Sequence, residues 1–134
     1  MNVASLELCK ELYELSGWDD TYFTYMHSQW QQGGKTQHRH RLTHTTANKR
    51  STDPLNIPAY DLGYLLRKLP YSVLDEYGGK VFGVNLKATA SGGWVVWYGE
   101  IGKTTEMYFN SADTPEEALA SLAIELFKSG VLKK

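Results

Sequence analysis

Val81-Phe-Gly-Val-Asn-Leu-Lys-Ala-Thr-Ala90, then Ser91-Gly-Gly93, then Trp94-Val-Val-Trp-Tyr-Gly-Glu100, sets the fold class. Phe82, Val84, Leu86 and Ala88 alternate with Gly83, Asn85, Lys87 and Thr89, the period-two pattern of a strand with one buried face. Ser91-Gly92-Gly93 is a turn, and Trp94 to Glu100 is a second strand. Gly102-Lys103 makes another turn, and Thr104 to Phe109 is a third strand. Short turns between successive strands imply an antiparallel meander.

Helical patterns stand on either side. Ser5 to Ser16 places Leu8, Leu12 and Leu15 at helical spacing, with Cys9 and Tyr13 on the adjoining stripe. Glu7 suits the first turn and Gly17 the C-terminal stop. Thr21 to Met26, rich in β-branched and aromatic residues, favours a strand. Pro58 stands where a helix opens, and Leu62, Leu65, Leu66 and Leu69 form an i, i+3, i+4, i+7 stripe that Pro70 ends. Gly63 within it suggests that something packs close by. Thr114-Pro115-Glu116-Glu117 combines an N-cap, a first-turn proline and a capping-box glutamate. Leu119, Leu122, Ala123, Leu126 and Phe127 then supply a buried stripe. Gly130 closes that helix, and Val131 is placed to fold back on Leu126 or Phe127.

The expected fold is α+β: one domain over residues 1–134, with an antiparallel sheet packed against two or three helices. The sheet is the three-strand meander plus one or two further strands. Residues 31–53 lack apolar periodicity, so they read as a basic, histidine-rich loop or a hairpin arm.

A chain of 134 residues can bury one core, and 42% apolar with 22% charged residues is an ordinary globular composition. No stretch approaches a membrane span, and the N-terminus has no secretion-signal pattern. The single cysteine, Cys9, excludes an internal disulfide. The expected setting is therefore soluble and cytoplasmic. The net charge of −1 conceals a division: Thr21 to Thr52 contains no acidic residue and carries +5, while the remainder carries −6. That separation creates a local field that attracts anions.

The cations of this window are Lys35, Arg39, Arg41, Lys49 and Arg50. The arginines suit bidentate phosphate contacts and the lysines add point charges. Tyr22, Tyr25 and Trp30 stand at its entrance, where a base could stack on them. His38, His40 and His44 are candidate zinc ligands by spacing. No cysteine or carboxylate accompanies them and arginines flank them, so neither a metal nor a cofactor is expected. Tyr60, Tyr64, Arg67 and Lys68 lie off the leucine stripe and could line a pocket or an oligomer interface. Trp94 and Trp97 have opposite parities in one strand. Both sheet faces then carry large aromatics, which favours a homo-oligomer. No nucleophile elbow, phosphate-binding glycine loop or zinc-protease motif is present.

Three segments together, SLELCKELYELSGW (5–18), PAYDLGYLLRKLP (58–70) and ADTPEEALASLAIELFKSGVL (112–132), resemble a group of small uncharacterised proteins of bacteriophages and prophages. The resemblance implies a phage setting, with host takeover or counter-defence as the roles to expect, and no activity. The order α-β-β-β-α from residue 58 onward is similar to that of double-stranded RNA-binding domains. Those carry lysines at the start of the last helix. Glu116 and Glu117 stand there instead, so specific nucleic-acid recognition is not expected. The functional expectation is a non-enzymatic protein that binds a phosphate-bearing small molecule such as a nucleotide immune signal. The alternatives are a module that inhibits a host protein, and a small enzyme acting on nucleotides.

Overall fold

The computed structural model describes residues 2–44, 55–74, 81–100 and 106–134. In chain order the elements are α1 (Leu6–Ser16), β1 (Phe23–Gln32), β2 (Lys35–His44), β3 (Ile57–Ala59), α2 (Leu62–Lys68), β4 (Ser72–Leu74), β5 (Val81–Ala88), β6 (Trp94–Glu100), β7 (Glu106–Ala112) and α3 (Pro115–Lys128). The fold is α+β with two antiparallel sheets, ordered β2-β1-β3 and β4-β5-β6-β7.

The meander is present as β5-β6-β7, and β4 adds a fourth strand before it. That strand makes the later half α-β-β-β-β-α, one strand more than the double-stranded RNA-binding order. Trp94, Val96 and Tyr98 of β6 face the core together with Phe82, Val84 and Leu86 of β5. The Tyr98 hydroxyl, at the bottom of this layer, donates to the Pro70 carbonyl at 2.7 Å. Between Val96 and Tyr98 the pairing with β7 slips, and Tyr108 takes a left-handed φ of 55°. This is a β-bulge. Asn110 Nδ2 braces it, donating to the Tyr108 carbonyl and to Glu125 Oε2 of α3. The expected turn at Gly102-Lys103 lies outside the described residues.

Helix α3 is the centre of the molecule. It packs on β6 and β7 with one side and against α1 and α2 with another. Ala118, Leu119, Leu122, Ala123 and Leu126 are fully buried there. Thr114 Oγ1 accepts the Glu117 N–H at 3.2 Å, which satisfies one orphan donor of the first turn. At the other end Gly130 adopts φ 84°, and the Leu132 N–H donates to the Leu126 carbonyl. Leu132 packs against the core while Val131 is exposed, so Leu132 folds back in the place expected for Val131. Helix α1 begins and ends as its sequence indicates. Ser5 Oγ accepts the Leu8 N–H, and Gly17 (φ 68°) donates to the Tyr13 carbonyl.

The middle helix differs from its sequence pattern. Pro58 does not open it. Pro58 sits in β3 opposite Thr24, on a short edge strand where a missing N–H is tolerated. The N-cap is Asp61, whose Oδ1 accepts the Tyr64 N–H at 2.7 Å, so α2 has only seven residues. Leu65 and Leu69 are buried, but Leu66 is 39% exposed and Tyr64 takes the inward position beside them. Gly63 is exposed, and its nearest non-neighbouring atoms belong to Arg67 and Asp61 of its own helix. Among the described residues no other element comes within 4 Å of where its side chain would stand.

The other sheet carries the feature that matters for function. β1 runs on to Gln32, well past the expected end at Met26, and β2 returns along it from Lys35 to His44. Gly33 and Gly34 form the two-residue link with φ 61° and 77°, the doubly left-handed geometry that two-residue hairpins require. The expected loop or arm is thus a hairpin as far as His44, and its part at 45–53 lies outside the described residues. No helix among the described residues is long and apolar enough to cross a membrane.

Candidate functional site

Among the described residues, the body of the protein holds the hairpin at its base. Phe23, Thr24 and Tyr25 pair with β3. Asn56, just before β3, accepts the His27 N–H through Oδ1 at 2.8 Å. Beyond that point every residue from Ser28 to Thr36 is exposed. The distal hairpin is a bare two-stranded ribbon projecting from the fold. Such ribbons are marginal alone and depend on cross-strand side-chain contacts.

Strand alternation sorts the chemistry of this ribbon. Side chains directly opposite in the register share a face. The pairs Met26–Arg41, Ser28–Arg39, Trp30–Gln37 and Gln32–Lys35 lie on one face. The pairs Phe23–His44, Tyr25–Leu42, His27–His40, Gln29–His38 and Gln31–Thr36 lie on the other. The mixed segment His38-Arg-His-Arg-Leu-Thr-His44 therefore becomes an arginine face and a histidine face.

On the arginine face, Met26, Ser28, Arg39 and Arg41 line an open notch of about 200 Å³. Ser28 is the floor because its neighbours along the row, Met26 and Trp30, are large and each 42% exposed. The Arg39 guanidinium carbon lies 5.9 Å from the Trp30 ring centroid, a cation–π contact that holds the side chain across the strands. Lys35, Arg39 and Arg41 are all exposed. No carboxylate of the described residues pairs with them; the ion pairs found there are Lys68–Asp20 and Lys128–Glu11. A phosphate entering the notch meets two guanidinium forks, with an indole beside it for a base.

The histidine face is built differently. His27 Nε2 lies 2.9 Å from His38 Nδ1, with the two rings stacked at 5.2 Å. His40 Nε2 bonds the Leu55 carbonyl at 2.9 Å, and His44 packs against Phe23. His27 belongs to this cluster, although the spacing of His38, His40 and His44 gives no hint of it; only the register brings it in. Among the described residues no group of three His, Cys, Asp or Glu side chains is arranged to hold a metal ion.

No family model matches the chain, and no curated protein or solved structure shows a significant similarity to it.

The remaining candidates are scattered. Tyr22 is exposed ahead of β1, off the ribbon. Tyr25 lies on the histidine face, and its hydroxyl donates to the Ala4 carbonyl at 2.8 Å. Burial pushes its phenol up to about 12. Trp30 is thus the one aromatic of the three that joins the arginines. Lys49 and Arg50 lie outside the described residues. Trp94 contacts the core. Trp97 points to the open side of the sheet, stacked at 6.4 Å on Phe109, which is 54% exposed.

Tyr60 and Tyr64 are both buried. The Tyr60 hydroxyl donates to the Trp18 carbonyl and that of Tyr64 to Asp20 Oδ1. The bond from Tyr64 holds the Asp20 carboxyl below its usual range. Lys68 joins them, 3.6 Å from Asp20 and over the rings of Trp18 and Tyr64. This knot ties the segment after α1 to α2. Arg67 lies over the Tyr64 ring from outside.

Cys9 is fully buried, and that burial pushes its thiol up to about 12. Since the thiolate is the reactive form, native protein at pH 8 is expected to react with a disulfide reagent at least about 100-fold more slowly than unfolded protein. One equivalent of thiol should appear on adding denaturant, read by absorbance. Rapid reaction of the native protein would contradict the placement of α1.

Proposed function

We propose that this is a non-enzymatic binding protein of phage origin, and that the arginine face of its projecting hairpin receives a phosphate-bearing ligand. The supporting observation is the notch lined by Met26, Ser28, Arg39 and Arg41, with the Trp30 ring against the Arg39 guanidinium. The pairing of guanidinium forks with an exposed indole suits a ligand that carries both phosphate and a base. A nucleotide immune signal is one such ligand, and its sequestration would serve counter-defence. Lys35 extends the same face toward the tip.

A second reading rests on a separate observation. Trp97 and Phe109 leave aromatic surface on the open side of the β4–β7 sheet. That surface fits self-association or the blocking of a host protein, the two partner classes that an apolar patch serves.

Native mass spectrometry of protein purified from cells, before and after mild denaturation, separates the readings. A discrete retained mass carrying phosphate and base supports the first. A ligand-free oligomer, or a complex with a host polypeptide, supports the second and counts against the first.

A further inference from the structure

From the shape of the hairpin we infer that its ligand is a single strand of nucleic acid, bound along β2 with little regard to sequence; this rests on the phosphate-binding reading of the arginine face. Two observations carry it. The first is the form of the site. Pockets for small ligands typically enclose about 300–1,000 Å³ and bury most of the ligand. The notch here is about 200 Å³, open, and placed on the exposed arginine face of a two-stranded ribbon. It can take a phosphate against its arginines but is too small and open to bury a whole nucleotide.

The second is the spacing of charge. Arg39 and Arg41 stand two residues apart on one face, about 7 Å along the strand, and Lys35 stands a further two such steps from Arg39. That repeat is close to the distance between successive phosphates of an extended strand. The three cations therefore match the first, second and fourth phosphates of a short run. The step without a cation is Gln37, and opposite it on the same face is Trp30. Where the charge row is interrupted, an exposed indole is available for stacking, capped by the Arg39 guanidinium. Rings and guanidinium planes both stack on bases of any identity. None of these contacts reads a base edge in the way that sequence recognition requires, so affinity should be tolerant of sequence.

The test is fluorescence anisotropy of a labelled twelve-nucleotide oligothymidylate, with thymidine monophosphate and polyglutamate as competitors. The expected result is oligomer binding at least 100-fold tighter than the mononucleotide. Neutralising three phosphates should give a log–log salt slope near −2, or roughly 20-fold weaker binding between 50 and 200 mM salt. Trp30→Ala should weaken the oligomer by roughly tenfold, and Trp30→Phe should restore most of the loss. Circular dichroism of both variants checks that the ribbon persists. Mononucleotide binding as tight as the oligomer's, and dependent on Arg39 and Arg41, would overturn the strand and leave the phosphate reading standing. Binding of neither would sink both. Polyglutamate competing equally per charge, with no effect of Trp30→Ala, would identify a general polyanion surface and also overturn the strand.

Discussion

Replacing Arg39 and Arg41 together by glutamate is expected to weaken binding of a phosphate-bearing ligand by at least about 100-fold while leaving the fold intact. Both side chains are exposed on the ribbon and neither packs into the core. Exposed substitutions of this kind usually change stability by no more than about 0.5 kcal/mol. Each guanidinium–phosphate contact is a charge-assisted hydrogen bond worth roughly 1.5–3 kcal/mol. Losing two amounts to ~3–6 kcal/mol, and each ~1.4 kcal/mol is a factor of ten in affinity. The reversal adds repulsion at the notch itself. Isothermal titration of both proteins checks the loss, and matching circular dichroism spectra check the fold. Unchanged affinity in the double variant would remove the hairpin from the site.

Leu122→Ala is expected to destabilise the protein by about 2–5 kcal/mol, the range for emptying a buried leucine site. Leu122 is fully buried in the centre of α3, the helix on which α1, α2, β6 and β7 all pack. Leu66→Ala makes the informative comparison. The sequence pattern gives Leu66 the same core status as Leu65, yet it is 39% exposed. Its removal should cost less than about 1 kcal/mol. Urea unfolding followed by circular dichroism measures both. Similar losses at the two positions would mean that α2 is turned to present its leucine stripe inward, against the burial of Tyr64.

The elements that were legible in the sequence carry their own local signals. Helix α3 announces itself through Thr114, Pro115 and Gly130, and β5 through strict alternation from Phe82 to Ala88. The middle helix reads differently in sequence and in structure because its four leucines repeat so regularly. What decides its rotation lies elsewhere in the chain. Asp61 caps it from inside the expected helix, and Asp20, forty-four residues before Tyr64, accepts the tyrosine hydroxyl. A tyrosine with such a partner can take an inward place that a leucine pattern reserves for carbon. β4 was invisible because three residues carry too little pattern.

At the candidate site the composition was legible and the arrangement was not. The absence of acid between Thr21 and Thr52 marks the basic segment. Gly33-Gly34 is a hairpin signal, but its flanking strands are polar on both sides, so no hydrophobic alternation supports it. Once the register is known, period two separates arginines from histidines, admits Met26 and Ser28, and excludes Tyr25. Register depends on pairing between strands, which a linear pattern without a buried face does not specify.

The central claim, that ligand meets the protein on the arginine face of the hairpin, is tested most directly by backbone amide NMR during titration with the labelled oligonucleotide's unlabelled twin. Shift changes concentrated on Met26, Ser28, Trp30, Lys35, Arg39 and Arg41, with Trp97 and Phe109 unmoved, are the predicted result. Changes gathered on Trp97 and Phe109 with the hairpin silent would contradict it and move the site to the open face of the β4–β7 sheet.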